Sequence, residues 1–165
     1  MAEELYTYSL DQLDQLEGSE ITLSKFNADV AWEIGTYARN VGLEKYPTRA
    51  ILIDIRLASG QVLFHSATTS GATIDNEKWV DRKINVVNRW GKSSFYIGQK
   101  LRIKNVPIEE ALFVPVFDYA THGGSVPIRL TNLDSVIGTL TISGLAQEED
   151  HLLALETLKH FAKAL

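Results

Sequence analysis

Hydrophobic and polar residues alternate with a period of two along several stretches of this chain, the signature of strands with a buried face. From Ala50 to Leu57, after Pro47, one face carries Ile51, Ile53, Ile55 and Leu57 and the other Leu52, Asp54 and Arg56. Ser59-Gly60 then reads as a two-residue hairpin turn into Val62 and Phe64, with Leu63 and His65 as their alternates. That loop length sets Leu57 opposite Val62, Ile55 opposite Phe64 and Asp54 opposite His65. Further on, Val126, Ile128 and Leu130 alternate with Pro127, Arg129 and Thr131. Val136, Leu140 and Ile142 alternate with Thr139, Thr141 and Ser143, and Asn132-Leu133-Asp134 supplies the turn between the two runs. Each of these strands is expected to bury one face. Leu112 to Tyr119 reads as a fifth strand, with Phe113, Pro115 and Phe117 against Leu112, Val114, Val116 and Asp118. Its proline marks an edge or a bulge.

Helical periodicity fills the intervals. Ser9 and Gln12 form a capping box ahead of Leu10, Leu13 and Leu16, in a short helix ending near Gly18. Ser24 is the expected cap of a longer helix striped by Phe26, Val30, Ile34, Tyr37, Ala38 and Val41, with Gly42 as its C′ residue. Asp75 or Asn76 is the expected cap of a third, striped by Val80, Ile84 and Val87 and stopped at Gly91; Ser93 starts a fourth through Phe95, Ile97 and Leu101. Pro107 opens a short turn of helix, and Gln147 to Leu165 closes the chain with Leu155, Leu158, Ala162 and Leu165 inward. Hairpin-linked strands pair antiparallel, so the order predicts a single α+β domain over residues 1–165: a five-stranded antiparallel sheet with helices packed on it.

Composition narrows the chemistry. A net charge of −5 disfavours nonspecific nucleic-acid binding, which needs basic surface to displace phosphate counterions. The absence of cysteine removes disulfides, thiolate metal sites and a thiol nucleophile, and Met1 is the sole methionine. No run approaches a membrane span, and the acidic start lacks the form of a secretory signal, which predicts a cytoplasmic protein. The marks of dinucleotide, phosphoryl-transfer and serine-hydrolase chemistry are missing.

Two clusters hold the candidate chemistry. Lys78, Arg82, Asn85 and Arg89 follow one another at spacings of four, three and four, on one helical face. Arg82, Asn85 and Arg89, aimed at a helix N-terminus with the hydroxyls of Ser93 and Ser94, would make an anion pocket; the plainer alternative is a solvated face or a subunit contact. The second cluster is His122 before Gly123 and Gly124, a loop histidine placed to meet a small molecule or to act as acid and base. The Asp54–His65 pair and His151 are left between structural and site roles, and His160 reads as a cation in the last turn of its helix.

His122, Gly123, Gly124, Pro127, Ile128 and Arg129, followed by Val136, Ile137, Gly138, Thr139, Thr141 to Leu145 and Gln147 to His151, resemble the heme-degrading-domain family of secreted heme-binding and glycolate-operon proteins. Asp75, Asn76, Trp79, Val80, Arg82, Lys83, Asn85, Val87, Arg89, Trp90, Gly91, Ser93 and Ser94 resemble its intracellular branch, shared by bacteria and fungi. Trp90, in place of a phenylalanine, and the Asn132-Leu133-Asp134 turn depart from the pattern. The resemblance implies a profilin-like three-layer arrangement, a higher homo-oligomer, and a small organic anion or heme as ligand, with no metal site assigned. Trp79, Trp90, Phe95 and Tyr96 exceed what one small core uses, which suits a subunit interface. Three readings stay open: a small-molecule binding protein, an assembly protein without a ligand, and a weak enzyme using His122 with Asp150 or His151.

Overall fold

The computed structural model describes residues 2–165 and contains a four-stranded antiparallel sheet between two helical layers. A 3-10 segment, Ala2–Thr7, precedes α1, Leu10–Leu16, and a second 3-10 turn spans Ser19–Ile21. There follow α2 (Ala28–Lys45), β1 (Leu52–Leu57), β2 (Val62–Ala67), α3 (Ile74–Trp90), α4 (Ser94–Lys104), α5 (Ile108–Leu112), β3 (Ser125–Ile128), β4 (Gly138–Ser143) and α6 (Gln147–Ala164). The sheet order is β2-β1-β4-β3.

Local chemistry sets several boundaries as expected. Ser9 Oγ accepts from the Gln12 N–H at 3.2 Å and Gln12 Oε1 accepts from the Ser9 N–H at 2.9 Å, so α1 begins with a reciprocal cap. Gly91 ends α3 in the left-handed region at φ 68°, and Ser93 Oγ accepts from the Tyr96 N–H to start α4. Other boundaries move. Asn27 rather than Ser24 caps α2, its Oδ1 accepting from the Val30 N–H, and the helix runs through Gly42 to Lys45. Gly42 lies inside the helix, where Ile51 and Thr68 pack within 3.3 Å of where its Cβ would be, a tight fit for any side chain. Thr73 rather than Asp75 or Asn76 caps α3, with Asn76 Oδ1 accepting its N–H at 2.8 Å.

The β1–β2 register holds for Ile55 opposite Phe64 and Asp54 opposite His65, but a bulge puts Val62 opposite Arg56 instead of Leu57. The loop accounts for it: Gly60 sits at φ 95° and donates to the Leu57 carbonyl, while the Leu57 N–H goes to the Gln61 carbonyl.

The expected fifth strand is the main departure. Residues 113–119 run along α3 as irregular chain, because Phe113 adopts φ 57°, Pro115 has no N–H to pair and the Asp118 N–H turns back to the Pro115 carbonyl. The two later strands also bury both faces, since every residue of β3 and β4 is buried, whereas β2 buries only Phe64.

The two faces differ in kind. Ile53, Ile55, Val126, Ile128, Leu140 and Ile142 pack with residues of α2 and α6 in one large apolar cluster. Each such fully buried side chain contributes about 1.5–3 kcal/mol. The other face carries Asp54, Arg56, Ser125, Thr139, Thr141 and Ser143 toward α3, with Leu52, Val80 and Ile84 as its small apolar cluster. Ser125 and Thr141 meet hydroxyl to hydroxyl at 2.9 Å across the β3–β4 pair. The layer under α3 is therefore hydrogen-bonded rather than oily, and the candidate site opens at its end.

Candidate functional site: a cleft at the end of the polar layer

A cleft of about 460 Å³ lies where α3, the 121–124 loop and the start of α6 converge. Its walls include Trp79, His122, Tyr6 and Glu148, and Lys83 and Asp150 form its floor. Lys83 projects from α3 between Val80 and Ile84 into the polar layer, 3% exposed. Its ammonium donates to the Ile142 carbonyl at 3.2 Å, Ser143 Oγ at 3.3 Å and Asp150 Oδ2 at 3.2 Å. Asp150 accepts in addition from the N–H groups of Leu145 at 3.0 Å and Gly144 at 3.4 Å, which ties the β4–α6 turn to the first turn of α6. Burial pushes the Asp150 carboxyl up to about 6 against the pull of Lys83 and those N–H groups, and it pushes the Lys83 ammonium down against the pull of Asp150. Both partners are driven toward their neutral forms, the signature of a dry pair.

His122 is exposed at the mouth, its ring packed edge-on against Trp79 at 4.7 Å. Desolvation lowers its pKa, and Lys83, Arg82 and Arg102 each lower it further. Burial and the neighbouring cations thus both favour the neutral imidazole. Across the cleft, the Tyr6 hydroxyl donates to Glu148 Oε2 at 2.7 Å; burial and that carboxylate push the phenol up to about 12, so it stays a donor. Gln99 holds the segment that carries Tyr6, its Nε2 donating to the carbonyls of Tyr6 at 3.0 Å and Tyr8 at 2.8 Å.

The glycine pair makes this geometry reachable. A Cβ on Gly124, at φ 136°, would come within 2.1 Å of the Ile142 carbonyl and 2.8 Å of Lys83 Nζ; one on Gly123 would come within 2.4 Å of the Gln147 carbonyl. The Gly123 N–H donates to Gln147 Oε1 at 3.1 Å, and the Gly124 carbonyl accepts from Ile142 N–H at 2.8 Å. Gly123 and Gly124 therefore act as the close contact that lays the His122 loop over α6 and β4.

The basic cluster lies elsewhere. Arg82 donates from Nε and Nη2 to the Val116 carbonyl at 3.1 and 2.6 Å, and Asn85 Nδ2 donates to the Asp118 carbonyl at 2.8 Å. Arg89 lies over the rings of Trp90 and Tyr119. These three side chains lash the 113–119 segment to α3. Ser93 caps α4, and Ser94 is fully buried, its Oγ accepting from the Ser125 N–H at 3.1 Å. Of the sequence candidates, His122, Gly123 and Gly124 belong to the cleft. Arg82 sits behind its aromatic wall, 4.6 Å over the Trp79 ring, while Asn85, Arg89, Ser93 and Ser94 do not line it.

Sequence reasoning missed Lys83 and the Tyr6–Glu148 pair. For Lys83 a signal exists: it shares the stripe of Val80, Ile84 and Val87, and a lysine on an apolar stripe needs a buried partner. His65 falls outside the cleft, its Nδ1 2.8 Å from Asp54 Oδ2 and its Nε2 2.9 Å from Glu77 Oε1. Asp54 is also held by Arg56 at 3.0 and 2.8 Å, so that network braces the β1–β2 pair. His160, near the end of α6, stacks on Tyr37 at 4.2 Å and 13°. Among the described residues no group of three or more His, Asp or Glu side chains is arranged to hold a metal ion, and no helix is long and apolar enough to cross a membrane.

Residues 26–159 match the family described as Haem degrading protein HbpS-like. The chain is 42% identical over 153 residues to the UPF0303 protein YBR137W of Saccharomyces cerevisiae, covering 93% of this chain and 84% of the yeast protein. It is 44% identical over 153 residues to a UPF0303 protein of Serratia proteamaculans, covering 92% of each. The crystal structure of Ybr137w superposes with a TM-score of 0.94 at 41% identity, covering 98% of this chain and 95% of the other. HbpS gives a TM-score of 0.61 at 12% identity, with 87% and 94% covered. The PduOC:heme complex gives 0.62 at 16% identity, with 84% and 95% covered. At such identities the last two establish a shared fold.

Proposed function

The chain belongs to the HbpS-like family, and from that membership we propose that it is a small-molecule binding protein, assembled as a homo-oligomer, that takes a small organic anion in the His122 cleft. The observation that carries this reading is the set of cations around His122: Lys83, Arg82 and Arg102 all act on the ring in the same direction, while the two carboxylates of the cleft, Glu148 and Asp150, are engaged by Tyr6 and Lys83. An anion beside the imidazole answers those cations, with Trp79 as an aromatic wall. A heme fits the same residues less well. A neutral imidazole at an open mouth is a competent iron ligand, and the PduOC relative is a heme complex, but a heme also needs an apolar slot. Here the floor is the polar, hydrogen-bonded Lys83–Asp150 pair.

Acetate, glycolate and succinate titrations, followed by thermal shift and by NMR of the His122 ring, test the reading. The expected result is saturable stabilisation with the His122 pKa moving back upward as the anion binds, both lost in His122→Ala. No shift with any of the three acids would overturn it. A sharp, saturable Soret band on hemin addition, lost in His122→Ala, would replace the anion with heme.

A further inference from the structure

His65, on the edge strand β2, stands between two carboxylates. Its Nδ1 lies 2.8 Å from Asp54 Oδ2 on β1, and its Nε2 lies 2.9 Å from Glu77 Oε1 near the start of α3. An ionised carboxylate only accepts, so both ring nitrogens are called on to donate, and only the imidazolium carries a proton on each. The neutral ring has a single N–H and turns its remaining lone pair on a carboxylate oxygen. The placing of the two acceptors thus couples the contacts of this ring to its charge.

The two arms are unequal. Asp54 is fully buried, and Arg56 fixes it from Nε at 3.0 Å and Nη2 at 2.8 Å. The Glu77 side chain is 39% exposed and has solvent to turn to. Arg56 also reaches Asp81 Oδ1 at 3.1 Å, so the charged groups around the ring are Asp54 and Arg56 of β1 with Glu77 and Asp81 of α3. Three acids face one guanidinium, a balance that favours a cation at His65. Burial works against the charged ring, but the bonds and charges of Glu77 and Asp54 outweigh it and hold the pKa above 6.5.

The start of α3 also forms part of the cleft wall, through Asn76 and Trp79. Trp79 follows Glu77 by two residues, about 200° around the helix, and packs on His122. One side of this helix end is therefore gripped by His65 while the other faces the cleft.

We propose that His65 is a proton-operated clamp: as the imidazolium it ties the start of α3 to the edge of the sheet, and on losing its proton it keeps Asp54 and releases Glu77. The clamp loosens the end of α3 that carries Trp79, whatever the cleft binds. Because the folded-state pKa is raised, the clamp is complete below 6.5 and is lost as pH rises through the folded value.

Nitrogen-15 NMR of the imidazole rings in the full chain, from pH 5.5 to 9.5, tests this together with amide exchange of residues 77–80 expressed as protection factors, which removes the intrinsic effect of base. At pH 6 both His65 nitrogens are expected to be protonated; above a midpoint higher than 6.5 the neutral ring is expected to carry its proton on Nδ1 alone. Protection of 77–80 is expected to fall about three- to tenfold across that midpoint, with β1 and β4 unchanged. Glu77→Gln, whose amide either donates or accepts, is expected to lower the midpoint and make the protection independent of pH, and His65→Gln to abolish the pH dependence as well. A midpoint at or below 6.5, a neutral ring protonated on Nε2, wild-type protection that does not change with pH, or an undiminished pH dependence in either variant would overturn the proposal.

Discussion

His151 shows how far a single residue can depart from its solution behaviour. Its ring is fully buried, stacked on Phe95 at 4.9 Å and 20°, and neither ring nitrogen has a hydrogen-bond partner. Burial holds its pKa down to about 3. The folded-state pKa is depressed, so its contribution is fully present above the unfolded value near 6.5 and is lost as pH falls toward 3. His151→Leu removes the unsatisfied N–H and the titration together. It is expected to raise stability at pH 7 by about 1–2 kcal/mol and to flatten the acid limb of the denaturation profile; a loss of stability on urea titration would show that the ring has a partner. The sequence did not reveal this role, nor the burial of Lys83, because burial of a polar side chain is decided by elements distant in the chain. The Asp54–His65 pair was legible, since a hairpin's register is local and survives one bulge.

At the scale of the element, the 113–119 segment separates pattern from partner. Its alternation reads as a strand, but a strand forms only where N–H and C=O groups meet another backbone. Here side chains take the carbonyls: Arg82 claims Val116 and Asn85 claims Asp118, while the Ala120 N–H returns to the Arg82 carbonyl at 3.1 Å. The helical spacing of those residues was visible in the sequence, and their target was not. Arg82→Ala with Asn85→Ala is expected to raise amide hydrogen exchange of residues 116–120 at least tenfold, a loss of about 1–3 kcal/mol, with exchange in β1 and β4 unchanged. Protection that persists in the double variant would mean the aromatic contacts of Trp90 and Tyr119 suffice.

The whole molecule sets an unlike pair of layers on one sheet, apolar under α2 and α6 and hydrogen-bonded under α3. The period-two patterns gave the strands, yet hid the second covered face, because threonine and serine on a buried face look the same in sequence as on a wet one. The outer surface carries its own anomaly. Phe113 and Phe117 are 87% and 86% exposed on the lashed segment, and Trp32 is 64% exposed on α2. Such aromatics are what a contact between copies covers. Phe113→Ser with Phe117→Ser is expected to lower the mass measured by light scattering in solution, and an unchanged mass would separate this patch from assembly.

The strand order also bears on the time at which the fold becomes possible. β1 lies between β2, its immediate successor, and β4, which follows only after α3, α4, α5 and β3. A growing chain that has delivered the β1–β2 hairpin has Ile53 and Ile55 with half their cover missing, and that cover, Leu140, Ile142 and the body of α6, is synthesised late. Closing so wide a loop is entropically slow. The protein is thus committed to finishing its fold after its last strand is made, and until then its apolar sheet face depends on the company the nascent chain keeps.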